Sequence, residues 1–133
     1  MTKKYHVLIA DDDNKLSSAL AVRLESAGFE ASTAQDAYAA VAMAKRDHPD
    51  LLLLDINMPA GSGMSVGQRL HSDETFGSVP IIFMTGEDSE RICQLAEEYG
   101  ANLSAAAVLR KPFEHAPLIA LIHEMVTGHK AVA

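Results

Sequence analysis

Leu51-Leu52-Leu53-Leu54-Asp55-Ile56-Asn57-Met58-Pro59-Ala60-Gly61-Ser62-Gly63 is the stretch that decides the fold. Its leucine run is too short to span a membrane and reads as a strand buried on both faces. Asp55 sits where that strand leaves the core. Pro59 lacks an amide donor, and Gly61 and Gly63 tolerate backbone angles closed to other residues, so a turn is expected directly after the strand. A carboxylate is thereby held at the mouth of a hydrophobic sheet. Alone, Asp55 reads as an aspartate that merely ends a strand. Its company argues otherwise: Asp11-Asp12-Asp13, Thr85 and Lys111 also end short apolar runs.

Towards the N-terminus, His6 to Ala10 reads as a first strand running into the three aspartates. Asp13 or Asn14 can cap a helix whose apolar positions Leu16, Leu20, Leu24 and Ala27 draw one face, with Gly28 in the usual place past a helix end. Phe29 to Ala34 is a less apolar strand and belongs nearer an edge. Asp36 caps an alanine-rich helix to about Arg46, which Pro49-Asp50 ends. Beyond the central stretch, a helix is expected over about Met64 to His71, a polar loop over Ser72 to Val79 and a buried strand over Pro80 to Met84. Asp88 or Ser89 opens a fourth helix with Ile92, Leu95, Ala96 and Tyr99 inward. Val108 to Arg110 is a fifth strand. A last helix runs from about Ala116 to Val126, with Leu118, Leu121, Ile122 and Met125 inward and Gly128 closing it. Strand and helix alternate five times, which implies a parallel sheet with helices on both faces. Ligands of such sheets bind outside the carboxyl ends of the strands, where Asp11, Asp12, Asp55, Thr85 and Lys111 all lie.

The totals set bounds. At 133 residues the chain is expected to be one domain, residues 1–133, large enough for its own core. Eighteen acidic and eleven basic residues leave a net charge of −7, which disfavours direct nucleic-acid binding. No apolar run reaches transmembrane length, so membrane insertion is not expected. Nothing long and apolar follows Met1-Thr2-Lys3-Lys4-Tyr5-His6, so no signal peptide is expected either. The single cysteine, Cys93, forms no internal disulfide and fits a reducing cytoplasm. The six histidines show no metal-ligand spacing.

Three carboxylates in one crevice repel each other unless a cation neutralises them. All-oxygen ligation suits magnesium (Mg2+), which prefers six oxygens at ~2.1 Å. Lys111 suits a phosphoryl oxygen or a carboxylate, and the Thr85 hydroxyl can donate to another such oxygen. A carboxylate nucleophile, a magnesium ion, a lysine and a hydroxyl donor are the parts for phosphoryl transfer onto aspartate. The plainer reading has Lys111 paired with an aspartate and Thr85 capping a helix.

These residues carry a resemblance. Val7-Leu8-Ile9-Ala10-Asp11-Asp12-Asp13, Pro49 to Pro59 with Gly63, Val79 to Gly86 and Lys111-Pro112-Phe113 together resemble the receiver domains of two-component response regulators. The likeness covers nearly the whole chain. It implies a flavodoxin-like (βα)5 fold: a doubly wound, parallel, five-stranded sheet in three layers. It also implies that Asp55 accepts a phosphoryl group from a sensor histidine kinase or a histidine phosphotransfer protein. Asp12 would bind magnesium directly and Asp11 mainly through water, with Asp55 and the backbone carbonyl of Asn57 completing the protein ligands. Lys111 would hold the phosphoryl group and precede a cis bond to Pro112. Thr85 would report phosphorylation to the surface of the fourth helix, fifth strand and last helix, and so to a downstream protein. Such a chain is a signalling phosphoacceptor that catalyses only its own phosphorylation and dephosphorylation.

Two departures fall on that output surface. Val108 stands where receivers usually place a tyrosine or phenylalanine, and Asn102 to Ala107 adds several residues before the fifth strand. Two other readings compete. A phosphatase resembling the haloacid-dehalogenase group would use Asp11 and Asp13, but Lys15 replaces its usual threonine or valine. No acidic pair follows Lys111, and Asn57 cannot act as a general acid for Asp55. The chain could also be the receiver part of a longer regulator or hybrid kinase. The residues leave open whether phosphorylation causes homodimerisation.

Overall fold

The structure is a computed structural model that describes residues 4–58, 61–76, 78–86 and 107–128. Strands β1 (His6–Ala10), β2 (Glu30–Ala34), β3 (Leu51–Asp55), β4 (Ile81–Thr85) and β5 (Ala107–Arg110) form one parallel sheet in the order β2-β1-β3-β4-β5. Helices α1 (Asn14–Ser26), α2 (Ala37–Asp47), α3 (Gly63–His71) and α4 (His115–Thr127) cover it. The expected flavodoxin-like, doubly wound, three-layer architecture is the one observed, with the less apolar β2 at an edge.

Period-two alternation divides each central strand between two cores. Val7, Ile9, Leu51, Leu53, Ile82 and Met84 pack with Leu20 and Leu24 of α1 and with Leu118 and Ile122 of α4. Leu8, Ala10, Leu52, Leu54, Ile81 and Phe83 pack with Ala40, Val41 and Ala44 of α2 and with Val66 and Leu70 of α3. Both halves of the leucine run are therefore buried, because each face of β3 meets a helical layer.

Local signals place the helices. The Asp13 carboxylate accepts the amides of Lys15 and Leu16 at 3.1 Å each and starts α1. Gly28, at φ +95°, turns the chain out of that helix in the left-handed region that glycine enters without penalty. Asp36 accepts the Ala39 amide at 2.7 Å and starts α2.

Several expectations are corrected. On α1 the buried stripe is Ser17, Leu20 and Leu24, with Leu16 only half-buried and Ala27 exposed. A strict four-residue spacing drifts around a helix of 3.6 residues per turn, whereas the 17-20-24 spacing holds one face. The stretch read as polar loop contains a 3-10 turn, Glu74–Phe76. It buries Phe76, whose ring stacks on His48 at 5.7 Å and 9°. β4 extends through Thr85, and β5 begins at Ala107. On α4 the expected inward set holds: Leu118 and Ile122 are buried, and Leu121 and Met125 pack, half-buried, against the same core. After β3, Asn57–Met58 pairs antiparallel with Gly61–Ser62, and Gly63 opens α3, so the expected reversal is present. The expected fourth helix, from Asp88 or Ser89, lies outside the described residues, as does Cys93.

Leu53 is fully buried on the central strand. Leu53→Ala should cost about 2–5 kcal/mol of unfolding free energy by urea denaturation followed by circular dichroism, from lost transfer energy plus a residual cavity.

Candidate functional site

The strand order puts a topological switch point at β1. The chain leaves β1 for β2 on one side and returns to β3 on the other, so the ends of β1 and β3 diverge around a crevice. Asp11 follows β1 directly, Asp55 is the last residue of β3, Thr85 is the last residue of β4, and Lys111 follows β5. One-residue steps along the strands bring residues far apart in sequence to the same crevice.

The Asp11 carboxylate is fully buried, and Asp55 is 4% exposed. Lys111 Nζ donates to Asp11 Oδ2 at 2.6 Å and lies 3.4 Å from Asp55 Oδ2. The other oxygen of Asp11 accepts the Asp13 amide at 2.9 Å. Asp55 Oδ1 accepts the Asn57 amide in a long bond of 3.4 Å. Asp12, by contrast, is exposed at the rim. Carboxylate oxygens of Asp11, Asp12 and Asp55 all lie within 4.8 Å of one another.

The backbone fixes this arrangement. Asp11 N donates to Ala34 O at 3.0 Å, Ile56 N to Met84 O at 2.8 Å, and Lys111 N to Thr85 O at 2.8 Å. The last bond carries the sheet pairing past β5, and a cis peptide follows between Lys111 and Pro112, as expected. Thr85 is fully buried.

Charge in the crevice is unbalanced: three carboxylates face one ammonium. Burial pushes the Asp55 carboxyl up to about 6, and repulsion from Asp11 adds to the shift. The Lys111 charge and the Asn57 amide pull the other way without cancelling it. For Lys111, burial alone would lower the pKa. Its hydrogen bond to Asp11 and the charges of Asp55 and Asp11 outweigh that cost and raise it. Desolvated carboxylate oxygens with an exposed third on the rim suit a small, hard divalent cation.

The side chains of Asp11, Asp12, Asp55 and Lys111 thus meet in one place, while Thr85 ends the neighbouring strand with its carbonyl bonded to the Lys111 amide and Asn57 donates its amide to Asp55. The plainer reading of Lys111 is also realised, since it does pair with aspartate. Reasoning from the sequence missed two supports. The Asp13 amide holds Asp11 while its carboxylate caps α1, which ties a crevice carboxylate to a helix start. Ser17 is buried one turn along, with Oγ 3.5 Å from the Asp11 carbonyl. A polar residue on the sheet-facing side of α1 was the available signal. The structure also weakens the haloacid-dehalogenase alternative. Asp13 Oδ1, which would have to serve as general acid, is engaged by two helix amides.

Comparisons with known proteins agree with one another. The family model described as the response regulator receiver domain matches residues 7–123. The phosphate regulon transcriptional regulatory protein PhoB of Pseudomonas aeruginosa is 35% identical over 116 residues, covering 86% of this chain and 48% of that protein. The sensory transduction protein RegX3 of Mycobacterium tuberculosis is 36% identical over 120 residues, covering 90% and 50%. The chain thus spans about half the length of these curated relatives. Among solved structures, the chemotaxis response regulator CheY4 of Vibrio cholerae superposes with a TM-score of 0.81 at 26% identity, covering 92% of this chain and 99% of that one.

The electrostatics predict a pH dependence. A carboxyl raised from 3.8 to about 6 by folding binds its proton more tightly in the folded state. Its destabilising effect is absent below the unfolded pKa, grows as pH rises towards 6 and is complete above it. In metal-free buffer, the Asp55→Asn variant should therefore match wild type near pH 4 and exceed it by roughly 2–3 kcal/mol at pH 7.5. Urea melts across that pH range, with chelator present, provide the measurement.

Proposed function

The chain belongs to the response regulator receiver family of two-component signalling, and on that premise we propose that Asp55 is its phosphoacceptor. The donor is a phosphohistidine on a sensor histidine kinase or a histidine phosphotransfer protein. The carrying observation is the placement of Asp55: a nearly buried carboxylate on the central strand, 3.4 Å from an ammonium and within 4.8 Å of two further carboxylates.

In this reading an Asp55 carboxylate oxygen attacks the phosphorus. The new phosphorus–oxygen bond forms as the phosphorus–nitrogen bond breaks, and its electron pair returns to the imidazole ring. The nucleophile must be ionised, and above about pH 6 it is. Lys111 already spans Asp11 and Asp55, so a small movement of its flexible stem brings the ammonium to a phosphoryl oxygen. The Thr85 hydroxyl, at the end of the neighbouring strand, donates to a second oxygen. Asp11, Asp12, Asp55 and the Asn57 carbonyl are the groups that would hold magnesium. Their all-oxygen chemistry and mutual approach fit that ion. When bound, magnesium neutralises charge on the transferring group.

A cytoplasmic location fits this role, and no helix among the described residues is long and apolar enough to cross a membrane. The relatives PhoB and RegX3 are named as a transcriptional regulator and a sensory transduction protein. This chain aligns with about half of each, and its downstream protein partner is part of the proposal. Val108 pairs in register with Phe83 and packs against the α2–α3 core. Lacking a ring, it cannot perform the aromatic swing of most receivers. The Lys111 N to Thr85 O bond instead links the acceptor crevice to the end of β5.

With magnesium and acetyl phosphate, intact-protein mass spectrometry should show one base-labile phosphoryl group on wild type and none on Asp55→Asn. Equal labelling of both would refute the assignment. Millimolar magnesium should also raise the melting temperature of wild type, and Asp12→Ala should lose most of that rise. A melt indifferent to magnesium would remove the metal from the scheme.

A further inference from the structure

The layer formed by α2 and α3 carries features that the phosphoacceptor crevice does not use. α2 is rich in alanine, yet its solvent face presents Tyr38, 77% exposed. Tyrosine is among the residues enriched at binding hot spots. Beside it runs a groove of about 160 Å3 between the helices, lined by Ala37, Tyr38, Val41, Ser65, Val66 and Arg69. That volume is well below the roughly 300–1,000 Å3 of small-molecule sites, so it suits one anchoring side chain of a larger partner.

Charge selects the partner. The protein as a whole is acidic, at −7. The only carboxylate within either helix is Asp47, and the Arg46 guanidinium grips it through Nε at 2.8 Å and Nη2 at 2.9 Å. Arg69 borders the groove, and Lys45 lies one turn beyond Val41 on α2. Neither has an ion-pair partner among the described residues. The face therefore combines an aromatic, an apolar slot and two unneutralised cations. Ala42, exposed between Tyr38 and Lys45, presents only a methyl group there.

We propose that the α2–α3 face is a docking surface for an acidic helical segment of a partner protein. One apolar side chain of that segment enters the slot beside Tyr38, and flanking carboxylates meet Arg69 and Lys45. None of the residues lining the groove belongs to the crevice of Asp11, Asp12, Asp55 and Lys111, so variants in it leave the phosphoacceptor side chains in place. Nucleic acid carries a charge at every phosphate and would extend it over the acidity of the whole chain, whereas a short segment with a few carboxylates confines its charge to the two cations, which favours the protein partner.

The test uses a phage-displayed library of helical peptides selected on the full chain. Selected peptides should be enriched in glutamate and aspartate around a single leucine, isoleucine or aromatic residue. Tyr38→Ala and Arg69→Glu should each weaken their binding by roughly tenfold or more. Binding should also fall as salt rises. Both variants should keep the wild-type circular dichroism melt and Asp55 labelling, which separates a lost surface from a lost fold. Failure to select binders, a consensus without acids, or equal binding to both variants would overturn the proposal. Tighter binding of a single-stranded oligonucleotide to the same residues would overturn it too.

Discussion

One ammonium stands between two buried carboxylates where three strands end. Lys111 Nζ reaches Asp11 at 2.6 Å and Asp55 at 3.4 Å; Lys111 follows β5, Asp11 follows β1 and Asp55 ends β3. Desolvating two like charges side by side is costly, and the lysine is what keeps the cost tolerable. The contact exists only because the sheet is parallel. All strands then point the same way, and the residues that end them arrive at one edge together. An antiparallel pairing would send half of these groups to the opposite edge.

The rest of the fold holds that contact in place against its own electrostatics. β1, β3 and β4 are buried on both faces, so their ends have little freedom to separate. Backbone bonds from Asp11 to Ala34, Ile56 to Met84 and Lys111 to Thr85 continue the sheet pairing to the crevice rim. The Asp13 amide then fixes the second Asp11 oxygen, with α1 anchored at the same residue. A raised Asp55 carboxyl is the residue of strain left after these supports act. Sites that depart from the most stable arrangement are commonly those with chemistry to perform. Here the departure is relieved by whatever neutralises the crevice.

Replacement of the usual aromatic by Val108 alters what the structure can transmit. A β-branched side chain packed between strands has few rotamers and no polar tip. Val108 is held in register with Phe83, against the same core as α2 and α3. The structural link between the crevice and that core is strand backbone, through the Lys111 N to Thr85 O bond and the pairing of Val108 with Phe83.

Much of this was legible along the chain. Alternating apolar runs and helical stripes named the strands and helices, since burial imposes periods of two and 3.6 residues. Caps at Asp13 and Asp36 and the exit at Gly28 were readable because each satisfies a local backbone demand. The chemistry-bearing residues were also readable, because polar groups rarely end apolar runs four times without a reason. Strand order was not legible, nor were the pairing of Lys111 with Asp11 ahead of Asp55, the burial of Ser17 and Phe76, and the slot beside Tyr38. Those depend on which strands are neighbours and on how helices settle over them. Such distances across the fold have no counterpart in sequence spacing. Sequence determined which groups reach the carboxyl ends of the strands. Only the tertiary structure decided which touch, because the parallel order around β1 sets the separations over which charges act.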